Sequence, residues 1–238
     1  FLVSRYSHEA AFRAHTAEAP IDYPDVGLYH PSLPGHHITT DINDLPAPKQ
    51  YTATVGLLMM RSYILASDTA HYDAVIARFE AENIRVIPAF AGGLDGRPAI
   101  DAYFKDADGT TIDAMVSLTG FSLIGGPAYN DSTAAVEALK ALDVPYLAAH
   151  PLEFQTLGQW EASQQGLGPI ETTMLIALPE IDGATNPTVF AGRYGPEDDG
   201  FVEGCKAMAP CHERIESLVQ KAAHLAHLRR KANADKKV

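Results

Sequence analysis

From residue 52 onward, apolar and polar positions follow two alternating periodicities. Residues 52–60 form a short, nearly continuous apolar run with β-branched residues at its start, which predicts a strand buried on both faces. After the polar cluster Ser67-Asp68-Thr69, which predicts a helix N-cap, apolar residues recur at i, i+3, i+4 and i+7. These residues are Tyr72, Val75, Ile76 and Phe79. The segment therefore predicts a helix that ends near Asn83 and buries one face.

The same strand and helix unit repeats along the chain. Further strands are predicted at residues 84–90, 111–118, 144–149 and, last, 172–178. The helices predicted between them cover residues 97–105, the segment capped by Asn130-Asp131-Ser132, and a short stretch around Trp160. Strand, helix, strand at these spacings is typical of βαβ crossovers. We therefore expect an α/β fold with an open, doubly wound, mostly parallel sheet of the flavodoxin or Rossmann kind.

The two ends of the chain depart from this pattern. Residues 1–50 hold six of the 16 prolines and little periodicity, which predicts an extended arm and linker with one short strand within residues 23–31. The α/β domain is expected over residues 51–182, and glycine, proline and acidic residues predict an irregular loop over 183–211. Residues 212–238 predict a long C-terminal helix. Because residue 1 is Phe and the chain stops at Val238 with no clear boundary, we expect a piece of a longer protein. A processed chain is the alternative.

Composition and charge exclude several classes of protein. The chain has 238 residues, of which 46% are hydrophobic, so it can bury a core and is not expected to be disordered. Its net charge of −12 disfavours broad binding to nucleic acid or to anionic lipid. Two cysteines, Cys205 and Cys211, are too few for a disulfide scaffold and favour a reducing compartment. No apolar run reaches the roughly 20 residues that a membrane-spanning helix needs.

The loops that follow the predicted strands are the first candidates for a binding site, because ligands of open parallel sheets bind beyond the carboxyl ends of the strands. These loops contain the residues that we nominate for substrate binding, namely Arg61, Gly92, Gly93, Thr119, Phe121, Gly125 and Gly126. The glycine pairs would allow backbone N–H groups to approach an anion, or would simply form tight turns. No nucleotide-binding GxGxxG or GxxxxGK[ST] motif follows any strand.

Acid–base and metal chemistry have weaker signals. His150 lies at a predicted strand end with Glu153 three residues later, where an acid–base pair would face a ligand, although a histidine packed at the rim is the alternative. Cys205, Cys211 and His212 could approach a soft metal, but their spacing fits no standard zinc signature, and we predict no metal site. No Gly-x-Ser-x-Gly motif supports a hydrolase.

Four long strings carry a resemblance to a known family. They are TATVGLLMMRSYILASDTAHYDAVIARFEAENIRVIPAFAGGLD, DAMVSLTGFSLIGGPAYND, LDVPYLAAHPLEFQTLGQW and IALPEIDGATNPTVFAGR. Together they resemble the large, porphyrin-binding subunits of magnesium chelatases, in particular the bacteriochlorophyll type. The large subunit of the cobalt chelatases of cobalamin synthesis is a weaker match. The resemblance covers most of residues 20–238.

The resemblance implies a function for the longer protein. It implies that the large subunit binds protoporphyrin IX, that Mg²⁺ enters the macrocycle there, and that two smaller AAA+-type subunits hydrolyse ATP. The product, Mg-protoporphyrin IX, leads to chlorophyll or bacteriochlorophyll. The implied location is the cytoplasm, with the periphery of the photosynthetic membrane as an alternative. The remainder of its own chain would be a further partner.

The departure from the family limits what can be carried over. The His-Gly and Glu-Phe-Met-Pro-Gly-Lys stretch that we associate with metal insertion is absent, so no catalytic residue is transferred and no bound cofactor is expected. Proton acceptors for the porphyrin could be His150, Glu153 or Glu180. An apolar wall could come from Phe121, Leu123, Ile124 and Phe154. A cobalt-chelatase segment and a stand-alone α/β module that binds a small ligand or a partner stay open as alternatives.

Overall fold

The computed structural model describes residues 2–14, 21–126 and 128–236. Its strands are β1 Val26–Tyr29, β2 Ile38–Thr39, β3 Ala53–Met60, β4 Ile84–Ala91, β5 Lys105–Asp106, β6 Gly109–Thr110, β7 Ala114–Ser117, β8 Gly125–Gly126, β9 Tyr129–Asn130, β10 Tyr146–Pro151, β11 Thr185–Gly192 and β12 Ala209–Pro210. Its α-helices are α1 Leu2–Tyr6, α2 Ala10–Arg13, α3 Arg61–Leu65, α4 Ala70–Ala81, α5 Arg97–Tyr103, α6 Ser132–Leu142, α7 Leu157–Ala162, α8 Pro169–Glu171, α9 Leu178–Asp182 and α10 His212–Arg230. A π-helical stretch, Thr172–Ala177, joins α8 to α9, and short 3₁₀ turns occur at Ile42–Asp44 and Asn233–Asp235.

The strands of the main sheet lie in the order β12-β11-β10-β7-β3-β4-β1-β2. The five central strands, β11, β10, β7, β3 and β4, are parallel, whereas β1, β2 and β12 pair antiparallel at the edges. Numbered along the chain, the parallel strands have the order 2-1-3-4-5 of flavodoxin-like sheets. The predicted α/β fold with a doubly wound, mostly parallel sheet is confirmed.

Apolar layers cover both faces of this sheet. One layer packs α4 and α10 against β3, through residues such as Tyr72, Phe79 and Leu218. The other packs α5 and α6 on the opposite face, through residues such as Ile100 and Leu142. Because alternate residues of a strand point to opposite faces, the continuous apolar run of β3 supplies both layers.

The N-terminal arm is more structured than the sequence predicts. Val26–Tyr29, within the predicted short strand, joins the main sheet and pairs with β4. Thr69 is the N-cap residue of α4, as expected, but its side chain makes no capping hydrogen bond. Pro20, Pro127 and the terminal residues 237–238, which take part in predicted elements, lie outside the described residues.

Three predictions in the C-terminal half are wrong. Residues 172–178, predicted as the fifth strand, are helical, because a short apolar run does not by itself distinguish a strand from a buried helix. The last parallel strand is Thr185–Gly192, inside the predicted irregular loop of 183–211. Its first three residues are exposed and are polar or proline, so the sequence lacks a strand pattern over the first part of this strand. The C-terminal helix ends at Arg230, and Lys231 after it is extended.

Candidate ligand-binding site at the carboxyl ends of the strands

Two adjoining spaces lie at the carboxyl ends of β3 and β7, where the order of the parallel strands reverses. The inner crevice reaches from Leu58 to Gly96 and Leu123. The outer cavity, of about 210 Å³, extends from Ser62 towards Pro151 and Leu175. Met60, Thr119 and Phe121 line both spaces. The topological switch point of a flavodoxin-like sheet is the position where ligands bind in such folds, so the geometry makes this the candidate site.

Glu153 lies at the mouth of the outer cavity and is held by two donors. Tyr63, from α3, donates its hydroxyl hydrogen to Oε1 of Glu153, and Arg193 donates from Nη1 to Oε2 at 2.8 Å. Arg193 also donates from Nε to the Lys206 carbonyl at 2.9 Å. Burial, together with the adjacent Glu153 carboxylate, raises the pKa of Tyr63 well above its usual value. The sequence thus nominated Glu153 but missed both of its partners, which come from helix α3 and from the residue that follows β11.

His150 does not line either of these spaces. Its side chain is 1% exposed and lines a separate cleft together with Trp160. Neither ring nitrogen has a hydrogen-bond partner among the described residues, and burial lowers the pKa of His150 to about 4. The structure thus places His150 and Glu153, which are expected from the sequence to form one acid–base pair, in two separate spaces.

Glu180, the third predicted proton acceptor, does not follow a strand. It is exposed on helix α9, because the segment before it is helical and not a strand. The prediction that places Glu180 at a strand end is therefore wrong.

Arg61 and Gly92 contact the N-terminal arm. The guanidinium of Arg61 donates to the carbonyls of Pro24 and Tyr23, each at 2.9 Å. The Gly92 amide donates to the Asp25 carbonyl at 2.6 Å. These hydrogen bonds attach the arm to the segments that follow β3 and β4. The role of Arg61 and Gly92 in substrate binding stays a prediction.

The predicted glycine loops shape the rim of the inner crevice. Gly93 lines the crevice directly, with a φ of +76°. Gly125 has a φ of +118°, and a Cβ there would lie 2.1 Å from the Tyr129 carbonyl oxygen, so only glycine fits the β8–β9 hairpin. A Cβ on Gly126 would lie 2.4 Å from Leu94 Cδ1. Gly125 and Gly126 therefore allow close packing of two loops, and their role in substrate binding stays a prediction.

The predicted apolar wall is divided by the structure. Phe121 and Leu123 line the crevice, whereas Ile124 is buried in the core beside it. Phe154 points outward and is 61% exposed. Large apolar side chains are also exposed at Leu94, in the loop after β4, and at Tyr129, in the short strand β9. The carboxyl edge of the sheet therefore presents a crevice with an apolar rim.

Asp182 is a buried group that sequence reasoning missed. Its Oδ2 accepts from the Ser122 hydroxyl at 2.6 Å and from the Leu123 amide at 2.8 Å, which fixes the crevice wall. Burial raises the pKa of Asp182, although the hydrogen bonds oppose this shift. The contact joins residues 59 positions apart, so no local pattern could have revealed it.

In the described ranges, no group of three His, Cys, Asp or Glu residues could hold a metal ion. Cys205 is exposed and Cys211 is half-buried, and both are free thiols. His224 is exposed, whereas His227 hydrogen-bonds with Thr52 at 2.9 Å. Over the same ranges, no helix is both long and apolar enough to cross a bilayer. The outer cavity presents apolar surface at Met60 and Phe121, with the Glu153 carboxylate at its edge.

Comparison with known proteins identifies similar sequences along the whole chain. Residues 1–238 match the family described as CobN/Magnesium Chelatase. The whole chain is 67% identical to the magnesium-chelatase H subunit of Cereibacter sphaeroides and 62% identical to that of Rhodobacter capsulatus, and it spans 21% and 20% of those proteins. Over 78% of the chain, it is 29% identical to the aerobic cobaltochelatase CobN subunit of a Sinorhizobium species, of which it spans 14%. The chain thus spans about a fifth of the length of these curated magnesium-chelatase relatives.

A solved structure shares the fold. The catalytic subunit of cobaltochelatase from Mycobacterium tuberculosis matches 96% of this chain and 18% of its own, with a TM-score of 0.71 and 24% identity. At this identity the likeness shows the fold alone.

Proposed function

Because the chain belongs to the CobN/magnesium chelatase family, we propose that it forms part of the porphyrin-binding large subunit of a magnesium chelatase. The observation that carries the proposal is the difference in identity between the two branches of the family. The chain is 67% identical to a magnesium-chelatase H subunit but 29% identical to a cobaltochelatase CobN subunit. This difference favours magnesium over cobalt as the metal that is inserted.

The proposed reaction is the insertion of the substrate ion Mg²⁺ into protoporphyrin IX, with ATP hydrolysed by two AAA+-type partner subunits in the cytoplasm. Insertion requires that Mg²⁺ loses bound water, which it exchanges slowly, and that the porphyrin loses its two pyrrole protons. This segment spans about a fifth of its relatives, so we assign it one wall of the porphyrin site and not the whole reaction.

The inner crevice and outer cavity support this role. Both lie at the switch point of the sheet, and Met60 and Phe121 offer apolar surface to a flat ring. The outer cavity, about 210 Å³, is too small to enclose a porphyrin, which would instead lie with one edge against this face. Glu153, held by Tyr63 and Arg193, is the carboxylate placed to meet that edge.

A porphyrin titration tests the proposed wall. Trp160 is the one tryptophan of the sequence, so its fluorescence reports energy transfer to a nearby porphyrin. We expect saturable quenching by deuteroporphyrin IX. We expect Phe121→Ala and Glu153→Gln to weaken the affinity by about tenfold, because each removes a contact with the bound ring.

The matched control is Phe201→Ala, since Phe201 is exposed and lines neither the crevice nor the cavity. Circular dichroism shows whether each variant is folded. A folded chain with no quenching, or equal affinity in all four proteins, would refute the assignment of this wall.

The metal and the substrate are tested in the longer subunit that contains this sequence. Assayed with its partner subunits and ATP, it should insert Mg²⁺ into protoporphyrin IX. Preference for Co²⁺ and the corrinoid hydrogenobyrinic acid diamide would instead assign the chain to the cobalt branch.

A further inference from the structure

A third space, the α10 cleft, has no proposed role in porphyrin binding. It has a volume of about 310 Å³ and lies between helix α10 and the segment from α7 to the π-helix. Its polar lining consists of His150, Thr188, Arg214, Ser217 and Lys221. It shares no lining residue with the inner crevice or the outer cavity. A ligand bound there would therefore contact other side chains than a ligand bound at the switch point.

Helix α10 directs two cations towards the cleft. Arg214, Ser217 and Lys221 are spaced i, i+3 and i+7 along α10, so they share one face of the helix. Within the described parts of the chain, no carboxylate forms an ion pair with Arg214 or Lys221. In a chain whose net charge is −12, this concentration of positive charge favours an anionic ligand.

His150 forms part of the inner wall of the same cleft. Its ring is almost fully buried, and both ring nitrogens lack a hydrogen-bond partner in the described structure. Buried polar groups without a partner are rare in folded proteins, and they call for a specific explanation. Because burial lowers the pKa of His150 to about 4, the ring is neutral near pH 7 and still carries one N–H to donate. A ligand oxygen would give that N–H its acceptor.

The rest of the lining is apolar and includes an aromatic ring. Leu167, Ile176 and Val189 line the cleft beside Trp160. The guanidinium carbon of Arg214 lies 5.3 Å from the centroid of the Trp160 ring, which holds Arg214 at the entrance. The volume is at the lower end of the range for small-molecule sites. Such a lining suits a compact apolar body that carries a single charged group.

We propose that the α10 cleft binds a small organic carboxylate, with its carboxylate between Lys221, Arg214 and His150 and its apolar body against Trp160. A carboxylate is favoured over a free phosphate because Trp160, Leu167, Ile176 and Val189 offer apolar surface that an organic body would cover and that inorganic phosphate would leave uncovered. The proposal goes beyond porphyrin binding, and its failure would leave the proposed wall untouched.

The test uses the fluorescence of Trp160 in the 238-residue chain, titrated with cyclohexanecarboxylate. This probe does not absorb where tryptophan does, so a change in emission reports contact in the cleft. We expect saturable binding at least about tenfold tighter than that of cyclohexanecarboxamide, which has the same body without the charge. Inorganic phosphate should produce no saturable change.

The variant Lys221→Gln should weaken the carboxylate about tenfold. Lys231→Gln, which removes the same charge just beyond the end of α10 and outside the cleft, should leave the affinity unchanged. Lys221 is exposed, so the substitution leaves the core intact. As a second readout, the imidazole resonances of His150 should shift on addition of the carboxylate.

Three results would overturn the proposal. They are equal affinity for the carboxylate and the amide, equal affinity in the Lys221 and Lys231 variants, and saturable binding of phosphate in preference to the carboxylate. Absence of any saturable response in the folded chain would do the same.

Discussion

His71 is fully buried within an aromatic cluster. The centroid of its ring is 4.1 Å from that of Tyr72, 4.8 Å from Tyr63 and 5.7 Å from Phe190. Neither ring nitrogen has a hydrogen-bond partner among the described residues. Burial, reinforced by the nearby charge of Arg193, lowers the pKa of His71 to about 3. The ring is therefore kept neutral in the folded chain at a pH where the unfolded chain would bind a proton.

Acid should destabilise the chain through His71. Between pH 6.5, the ordinary pKa of histidine, and pH 3, the unfolded state binds more protons than the folded state. The contribution is thus complete above pH 6.5 and is lost as the pH falls, by about 1.4 kcal/mol per pH unit. Urea denaturation at about pH 7 and about pH 4.5 should show a smaller acid loss in His71→Phe than in the wild type.

The control for this effect is His224→Phe, because His224 is exposed on α10. Its acid loss should equal that of the wild type. Equal acid losses in all three proteins would show that His71 is not the source.

At the scale of single elements, the capping residues show which sequence signals are realised. Asp131 accepts a hydrogen bond from the Ala134 amide at 3.0 Å and caps α6, as the Asn130-Asp131-Ser132 cluster predicts. Thr69 occupies the same position of α4 without a capping bond, and its hydroxyl instead lies 3.5 Å from Asp73. The same kind of sequence signal therefore has two outcomes, decided by the neighbouring side chains.

Removing the two caps should have unequal effects. We expect Asp131→Ala to lower the free energy of unfolding by about 1 kcal/mol, because it leaves the Ala134 amide without its acceptor. Thr69→Ala should lower it by less, since no capping bond is lost. Chemical denaturation of both variants measures the difference, and a larger loss in Thr69→Ala would contradict this account.

At the scale of the whole molecule, the arm closes one side of the sheet. Strand β1 pairs with β4, and Arg61 at the start of α3 bonds two carbonyls of the preceding arm. Arg61 thus joins the element after the first parallel strand to a segment 37 residues earlier in the chain. The carboxyl edge beside the inner crevice is bordered by this contact.

We expect Arg61→Gln to loosen the arm without abolishing porphyrin binding. Loss of its charged hydrogen bonds to two carbonyls should lower the free energy of unfolding by about 2 kcal/mol and speed proteolysis near residues 21–25. Lys105→Gln is the control, because Lys105 forms its ion pair with Asp101 and neither residue lines the inner crevice or the outer cavity. Unchanged proteolysis together with weaker porphyrin binding would show instead that Arg61 contacts the ligand.

Local sequence patterns were sufficient to predict the fold class and to nominate the edge of the sheet at which the candidate site lies. Apolar runs such as residues 52–60 and the helical spacing of Tyr72 to Phe79 are local, and the periodicity of the backbone converts them directly into strand and helix. The functional proposal came from the four long sequence strings that resemble the chelatase family. The position of Glu153 beyond β10 follows from the same rule of parallel sheets.

Which side chains meet became clear only from the folded arrangement. The hydrogen bond between Tyr63 and Glu153 joins residues that are 90 positions apart in the sequence. The hydrogen bond from the Leu123 amide to Asp182 joins residues that are 59 positions apart. The strand at Thr185–Gly192 forms beside β10 although its exposed half carries no strand pattern. Such contacts depend on strand order and helix placement, which are determined by the packing of the apolar layers on both faces of the sheet. For that reason, the separation of His150 from Glu153 into two sites could not be derived from their closeness in the sequence.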